Sequence, residues 1–124
     1  MVRKISLLVL LVLFFEVPLG AKVNSMIRFK PGVKIQGIQP EIVATFPIVE
    51  SAFSPKTAVI TSAKDGRHRR GSLHYSGNAI DLRTRHLVAG EATKIILLLR
   101  QWLTDEYDVL LEKDHIHLEF QPKS

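Results

Sequence analysis

Two short stretches of this chain carry side chains that could do chemistry together: Ser72-Leu73-His74-Tyr75-Ser76-Gly77-Asn78-Ala79-Ile80-Asp81, and Asp114-His115-Ile116-His117 near the C-terminal end. Between them they offer two imidazoles and a carboxylate as ligands for one zinc ion, with a further acid or base beside them. Three protein ligands and an open fourth position make the inventory of a catalytic zinc site. The chain contains no cysteine. A metal must therefore be held by His, Asp or Glu, which again favours catalysis, because structural zinc sites usually use thiolate.

The elements that must position these groups can be read from periodicity. His115 to Phe120 alternates three polar and three large apolar residues. On a strand, successive side chains point to opposite faces, so His115, His117 and Glu119 share one face and Ile116, Leu118 and Phe120 the other. Tyr107 to Leu111 is expected to pair with it through a tight turn near Glu112-Lys113-Asp114. Ala79 to Arg83 and Thr57 to Thr61 read as two further strands, and the polar, basic residues 63 to 76 between them as a long loop of the kind that usually carries function. Small residues at Gly77 and Ala79 let the backbone approach closely between His74 and Asp81.

Two helical segments complete the pattern. Gln39-Pro40-Glu41 opens a helix with Pro40 at its first position, where the missing N–H costs nothing. Ile42, Val43, Phe46, Val49 and Phe53 would form its buried stripe, and Pro47 should kink or split it. Glu91 to Leu103 is the clearest helix, with Ile95, Leu98, Leu99 and Trp102 on its core face. Met26 to Lys30 reads as an extended lead-in and Lys30-Pro31-Gly32 as a turn. The expected fold class is α+β: an antiparallel sheet with helices packed on one face and a zinc cleft on the other.

Ser72-x-His74-x-x-Gly77-x-Ala79-x-Asp81 followed by Asp114-His115-x-His117 resembles the zinc peptidases that comprise D-alanyl-D-alanine carboxypeptidases, D-Ala-D-Ala dipeptidases and phage L-alanyl-D-glutamate endolysins. The signalling domain of hedgehog proteins shares their fold. The similarity spans most of residues 26 to 121, and the spacing fits a small, phage-type member. The resemblance implies that His74, Asp81 and His117 are the ligands of one zinc ion. It implies that Asp114 is the general base, passing its proton on to the leaving amine, and that His115 stabilises the transition state or substitutes for the acid.

On a regular strand Asp114 has the parity of Ile116 and faces away from the metal, so it can serve only if the chain turns at 113 to 114, and Glu112 is the fallback. Glu119 is the expected orienting partner of His117 or of a neighbouring basic group, or else an exposed cross-strand partner. Tyr75 and His86 read as structural or surface residues. The chain departs from the family where many members carry Ser-Gly-Tyr-Arg after the first core strand. Here the stretch is Ser62-Ala63-Lys64-Asp65, so the substrate-binding arginine is replaced by an aspartate, and Arg67, Lys64 or His68 must supply the cation. Ser72 and Arg67 are the expected substrate contacts.

Composition sets the remaining bounds. Met1-Val2-Arg3-Lys4 and the apolar run from Ile5 to Phe15 match a secretory signal peptide over residues 1–21, or an uncleaved N-terminal membrane anchor through residues 5–15. Leu19 is large for a signal peptidase site, and Val23-Asn24-Ser25 is a second candidate. Residues 22–124 then form one zinc peptidase domain, with no room for a second. The protein is expected to be exported, periplasmic or extracellular, and monomeric. The formal net charge of +5, concentrated in part at Arg67, Arg69 and Arg70, suits an anionic surface. Nucleic acid is not the expected partner, because the basic residues lack interleaved aromatics. The resemblance implies hydrolysis of a peptide bond in peptidoglycan stem peptides, of D,D-carboxypeptidase or L-alanyl-D-glutamate endopeptidase type. The alternative is a non-catalytic, metal-stabilised cell-wall or protein binding module.

Overall fold

Strand-length apolar alternation and two amphipathic helical stretches condense into one sheet covered on one face. A computed structural model describes residues 26–123; the expected leader, residues 1–21, lies outside the described residues. The elements in chain order are β1 (Ile27–Phe29), α1 (Pro40–Val43), α2 (Phe46–Phe53), β2 (Ala58–Ser62), β3 (Ala79–Arg83), α3 (Glu91–Trp102), β4 (Tyr107–Leu111) and β5 (His115–Phe120). Among the described residues, no helix is long and apolar enough to cross a membrane.

The five strands lie in the order β1-β2-β3-β5-β4. Four of them form the expected antiparallel arrangement, but β1 runs parallel to β2, so the sheet is mixed rather than antiparallel. The cause is the connection. Parallel neighbours need a long crossover, and here α1 and α2 provide it between β1 and β2. The expected helix around Pro47 is split: α1 ends at Val43, α2 starts at Phe46, and Pro47 occupies the first turn of α2, where it displaces no helical hydrogen bond. Val43, expected in the buried stripe, is exposed at that break.

Parity divides the sheet into a dry face and a polar face. Ile60, Ile80, Leu82, Val109, Ile116 and Leu118 join Ile42, Val49 and Phe53 from α1 and α2 and Ile95 and Leu99 from α3 in one buried cluster. Each such side chain, fully buried, contributes about 1.5–3 kcal/mol. Ile96 is buried on α3, whereas Trp102, expected on the core face, is 45 % exposed at the last helical turn. His86 stacks on Phe53 with ring centroids 6.2 Å apart, and its Nε2–H donates to the Thr57 carbonyl. It is part of the core margin. The opposite face presents Asp81 and Arg83 from β3 and His115, His117 and Glu119 from β5. The register pairs Asp81 with His117 and Arg83 with His115.

Candidate metal centre

The loop from Ala63 to Asn78 delivers His74 to this polar face through a set of local constraints. Pairing between β2 and β3 slips between Ile60–Leu82 and Ser62–Asp81, a bulge that bends the end of β2. Beyond the bulge, Asp65 Oδ1 accepts backbone N–H groups from Ala63 at 3.0 Å and Lys34 at 2.9 Å. Burial pushes the Asp65 carboxyl up, but those two backbone donors outweigh it and hold the group below its ordinary range. Asp65 is thus committed to the backbone. It holds Ala63, the residue whose carbonyl accepts from His74 Nδ1 at 2.7 Å.

The other end of the loop is pinned by Gly77. Its φ is +79°, and a Cβ there would lie 2.4 Å from the Gly37 carbonyl oxygen, so only glycine lets the two segments close. Gln39 N–H donates to the Gly77 carbonyl, and Ser72 Oγ accepts the His74 backbone N–H. Ser72, expected to touch substrate, lines the cleft but also closes this turn.

Three imidazoles converge on one oxygen. His117 Nδ1 is 3.0 Å from Asp81 Oδ1, His74 Nε2 is 3.1 Å from it, and His115 Nε2 is 3.5 Å from it. Tetrahedral zinc ligands at bond lengths of about 2.0–2.1 Å stand about 3.3 Å apart, which is the scale of these separations. The outer nitrogen of each ring meets a group that can only accept: His74 Nδ1 the Ala63 carbonyl, His117 Nε2 the Glu119 carboxylate at 2.8 Å, His115 Nδ1 the Asp114 carboxylate at 2.7 Å. Each outer nitrogen must therefore carry the proton. In neutral rings the inner nitrogens then present lone pairs to the lone pairs of Asp81 Oδ1. That convergence is repulsive unless protons or a cation occupy it.

The electrostatics follow. Burial pushes the Asp81 carboxyl up, but hydrogen bonding with His117 and His74 outweighs it and holds the group well below the usual carboxylate range. The Asp81 carboxylate, against the opposing effect of burial and with help from Glu119, raises His117 above its ordinary value. Asp81, His74 and His117 are buried, which makes an uncompensated arrangement costly.

Two overlapping trios are close enough to hold a metal ion: His68, His74 and Asp81; and Asp81, His115 and His117. Neither trio is the expected set of His74, Asp81 and His117: His74 falls in one and His117 in the other, and Asp81 is common to both. His68, expected from the sequence only as a substitute cation, also stands beside the centre. Its ring stacks on His74 at 3.8 Å with 7° between planes, and its Nε2 is engaged by the Asp65 carbonyl at 2.8 Å. A metal in the plane of one stacked ring lies far out of the plane of the other, so His68 supports His74 rather than sharing a metal with it. The rings of His74 and His117 have centroids 5.0 Å apart and stand at 61°. Tyr75 secures His68 by exchanging hydrogen bonds with its backbone N–H and carbonyl.

Asp114 is 84 % exposed and meets the centre only through His115. The carboxylate nearer the ligand atoms is Glu112, with Oε2 3.5 Å from His115 Nε2 and Oε1 3.9 Å from His117 Nδ1. All of these groups line an open cleft of about 770 Å³, walled on the loop side by Arg67, Arg69 and Arg70. Of the three residues expected to supply the cation, Arg67 and His68 line this cleft, whereas Lys64 lies against Gly37. Comparison of the chain with protein-family models, with curated proteins and with solved structures gives no significant match.

Proposed function

We propose that this chain is a zinc peptidase that hydrolyses a peptide bond in peptidoglycan stem peptides. The observation that carries the metal is the convergence of imidazole lone pairs on Asp81 Oδ1, with the outer N–H of His74 and His117 taken by acceptor-only groups. In this reading His74 Nε2, Asp81 and His117 Nδ1 hold one zinc ion, because they are the most buried of the converging groups and both imidazole nitrogens lie within 3.1 Å of Asp81 Oδ1. A histidine with its other N–H anchored is the usual form of a zinc ligand. Zinc bound there would supply Lewis acidity to the scissile carbonyl and to the attacking water.

His115 and Asp114 support hydrolysis over a purely structural metal. Asp114 accepts the Nδ1–H of His115 and leaves Nε2 directed at the centre, the arrangement in which an oriented imidazole moves protons. His115 Nε2 takes a proton from the attacking water and returns it to the leaving amine, while Asp114 steadies the imidazolium between the two steps. The role the resemblance implies for Asp114 is thereby exercised through His115, with Glu112 as the other acid on the cleft wall. Arg67 and its basic neighbours suit the anionic stem peptides of the bacterial wall.

The test is digestion of purified peptidoglycan by the zinc-loaded protein, with new termini identified by mass spectrometry beside metal analysis of His74→Ala and His117→Ala. One zinc per chain, lost in both variants, together with new peptide termini supports the proposal. Full zinc content in both variants overturns the ligand set. Bound zinc without cleavage of any wall peptide favours a metal-stabilised binding module.

A further inference from the structure

The polar face of the sheet continues past His115 into a second hollow of about 360 Å³, lined by Lys30, Thr61, Arg83, Arg85, Asp114 and His115. Lys30 follows β1, Thr61 lies on β2, Arg83 ends β3 and Arg85 follows it, so the parallel pairing of β1 with β2 brings Lys30 to the pocket. Its fixed charges are three cations and one carboxylate, and that carboxylate already accepts from His115 Nδ1. Among the described residues, the lysine and arginine ion pairs are Lys56–Glu91 and Lys123–Asp105. Lys30, Arg83 and Arg85 therefore face the hollow without an acidic partner within 4.0 Å among the described residues. Arg83 is also half-buried, and a guanidinium withdrawn from water without an anion is unfavourable.

We propose that this pocket is a subsite for a carboxylate of the peptide substrate, on the side of the cleft away from Arg67. The proposal rests on the peptidase reading above and specifies where the substrate's charge sits. Arg83 lies two residues along β3 from Asp81 on the same face, a separation of about 6.6–6.8 Å at strand rise. That is the span of about two residues of extended peptide, so the recognised carboxylate belongs within about two residues of the cleaved bond. Two guanidinium groups bind carboxylate as planar forks, and Lys30 adds a point charge. His115 stands between the centre and this pocket and is Arg83's partner across the β3–β5 ladder. A substrate anchored on Arg83 would thus pass directly over the group assigned to move protons.

The experiment uses two stem-peptide analogues that differ only in whether the carboxyl nearest the cleaved bond is free or a carboxamide. Their affinities are measured by calorimetry on the zinc-loaded full chain carrying His115→Ala, and KM and kcat on the zinc-loaded wild type. The free acid should bind tighter by about tenfold or more. Adding Arg83→Gln or Lys30→Gln should remove that preference, leaving carboxamide binding, zinc content and thermal unfolding unchanged. Arg83→Lys should restore part of it, and on the active protein the loss should appear in KM. Equal binding of acid and carboxamide, equal weakening of both by the variants, or no binding of either overturns the subsite. Exposed Lys30 keeps the test open if the Arg83 variants fold poorly. Failure of the parent reading looks different: the acid preference persists without any cleavage, whereas failure of the subsite leaves cleavage without acid preference.

Discussion

Removing the Glu119 carboxylate should weaken metal binding without removing a ligand. Gln121 Nε2–H donates to Glu119 Oε2 at 2.7 Å, and Glu119 Oε1 accepts from His117 Nε2 at 2.8 Å. His117 then presents Nδ1 to Asp81. Glu119 is only 16 % exposed in its side chain, so water replaces its hydrogen bond poorly. A charge-assisted bond of this kind contributes about 1.5–3 kcal/mol, and outer partners of metal-bound histidines are worth about 10–100-fold in affinity. Glu119→Ala should therefore bind zinc about 10–100-fold more weakly, whereas Glu119→Gln, whose amide oxygen still accepts the Nε2–H, should lose a few-fold. The assay is competitive titration against a chromophoric chelator across pH. Because Asp81 and Glu119 hold the His117 imidazole above its ordinary value, protons compete with metal at lower pH. Affinity should rise with pH through that raised value and then level off. Wild-type affinity in Glu119→Ala, or equal losses in the alanine and glutamine variants, would refute the assignment of Glu119 as the orienting acceptor.

Three other outcomes follow from the same geometry. His115→Ala should keep the zinc and the fold and lose turnover by about 10²-fold or more, and Asp114→Ala should show a smaller loss, both read as kcat beside zinc content; loss of metal from His115→Ala would make it a ligand instead. Asp65→Ala should cost about 1 kcal/mol in chemical denaturation. The folded-state value of this carboxyl is depressed, so its contribution is present above the unfolded aspartate range and fades as pH falls through the folded value; Asp65→Ala should flatten that acid-side slope, and an unchanged slope would count against the clamp. Gly77→Ala places a methyl group against the Gly37 carbonyl at a positive φ, so it should lower stability by about 1–3 kcal/mol and weaken zinc binding through His74; unchanged calorimetric unfolding would show that the loop yields there.

What the sequence made legible was whatever rested on a short-range period. The alternation over His115–Phe120 is enough to assign one face to imidazoles and the other to the core, and the register of Asp81 opposite His117 and Leu82 opposite Ile116 agrees with it. The limits of β3 and of the helix over residues 91–102 were readable for the same reason, since each carries several consecutive turns or alternations of its pattern. β1 was not readable as a sheet strand. It has only three residues, and its parallel pairing with β2 depends on a crossover that no local pattern reveals.

The site was legible as an inventory and illegible as a geometry. Parity alone says that Asp114 faces away from the metal, and its exposed carboxylate behind His115 agrees; that it hands its influence to the centre through His115 Nδ1 could not be read from spacing. The resemblance puts Asp65 where an arginine is expected; its two backbone acceptor bonds make it a clamp that holds Ala63, the residue whose carbonyl orients His74. The sheet offers Arg83, Arg85 and Lys30 beyond His115, drawn from two separate segments, the end of β3 and the residue after β1, so no single motif reveals this cluster of cations. This is why substrate charge is better tested at Arg83 than at Asp65. A substitution at Asp65 perturbs the aim of His74, whereas one at Arg83 leaves all three proposed ligands and their outer hydrogen bonds untouched.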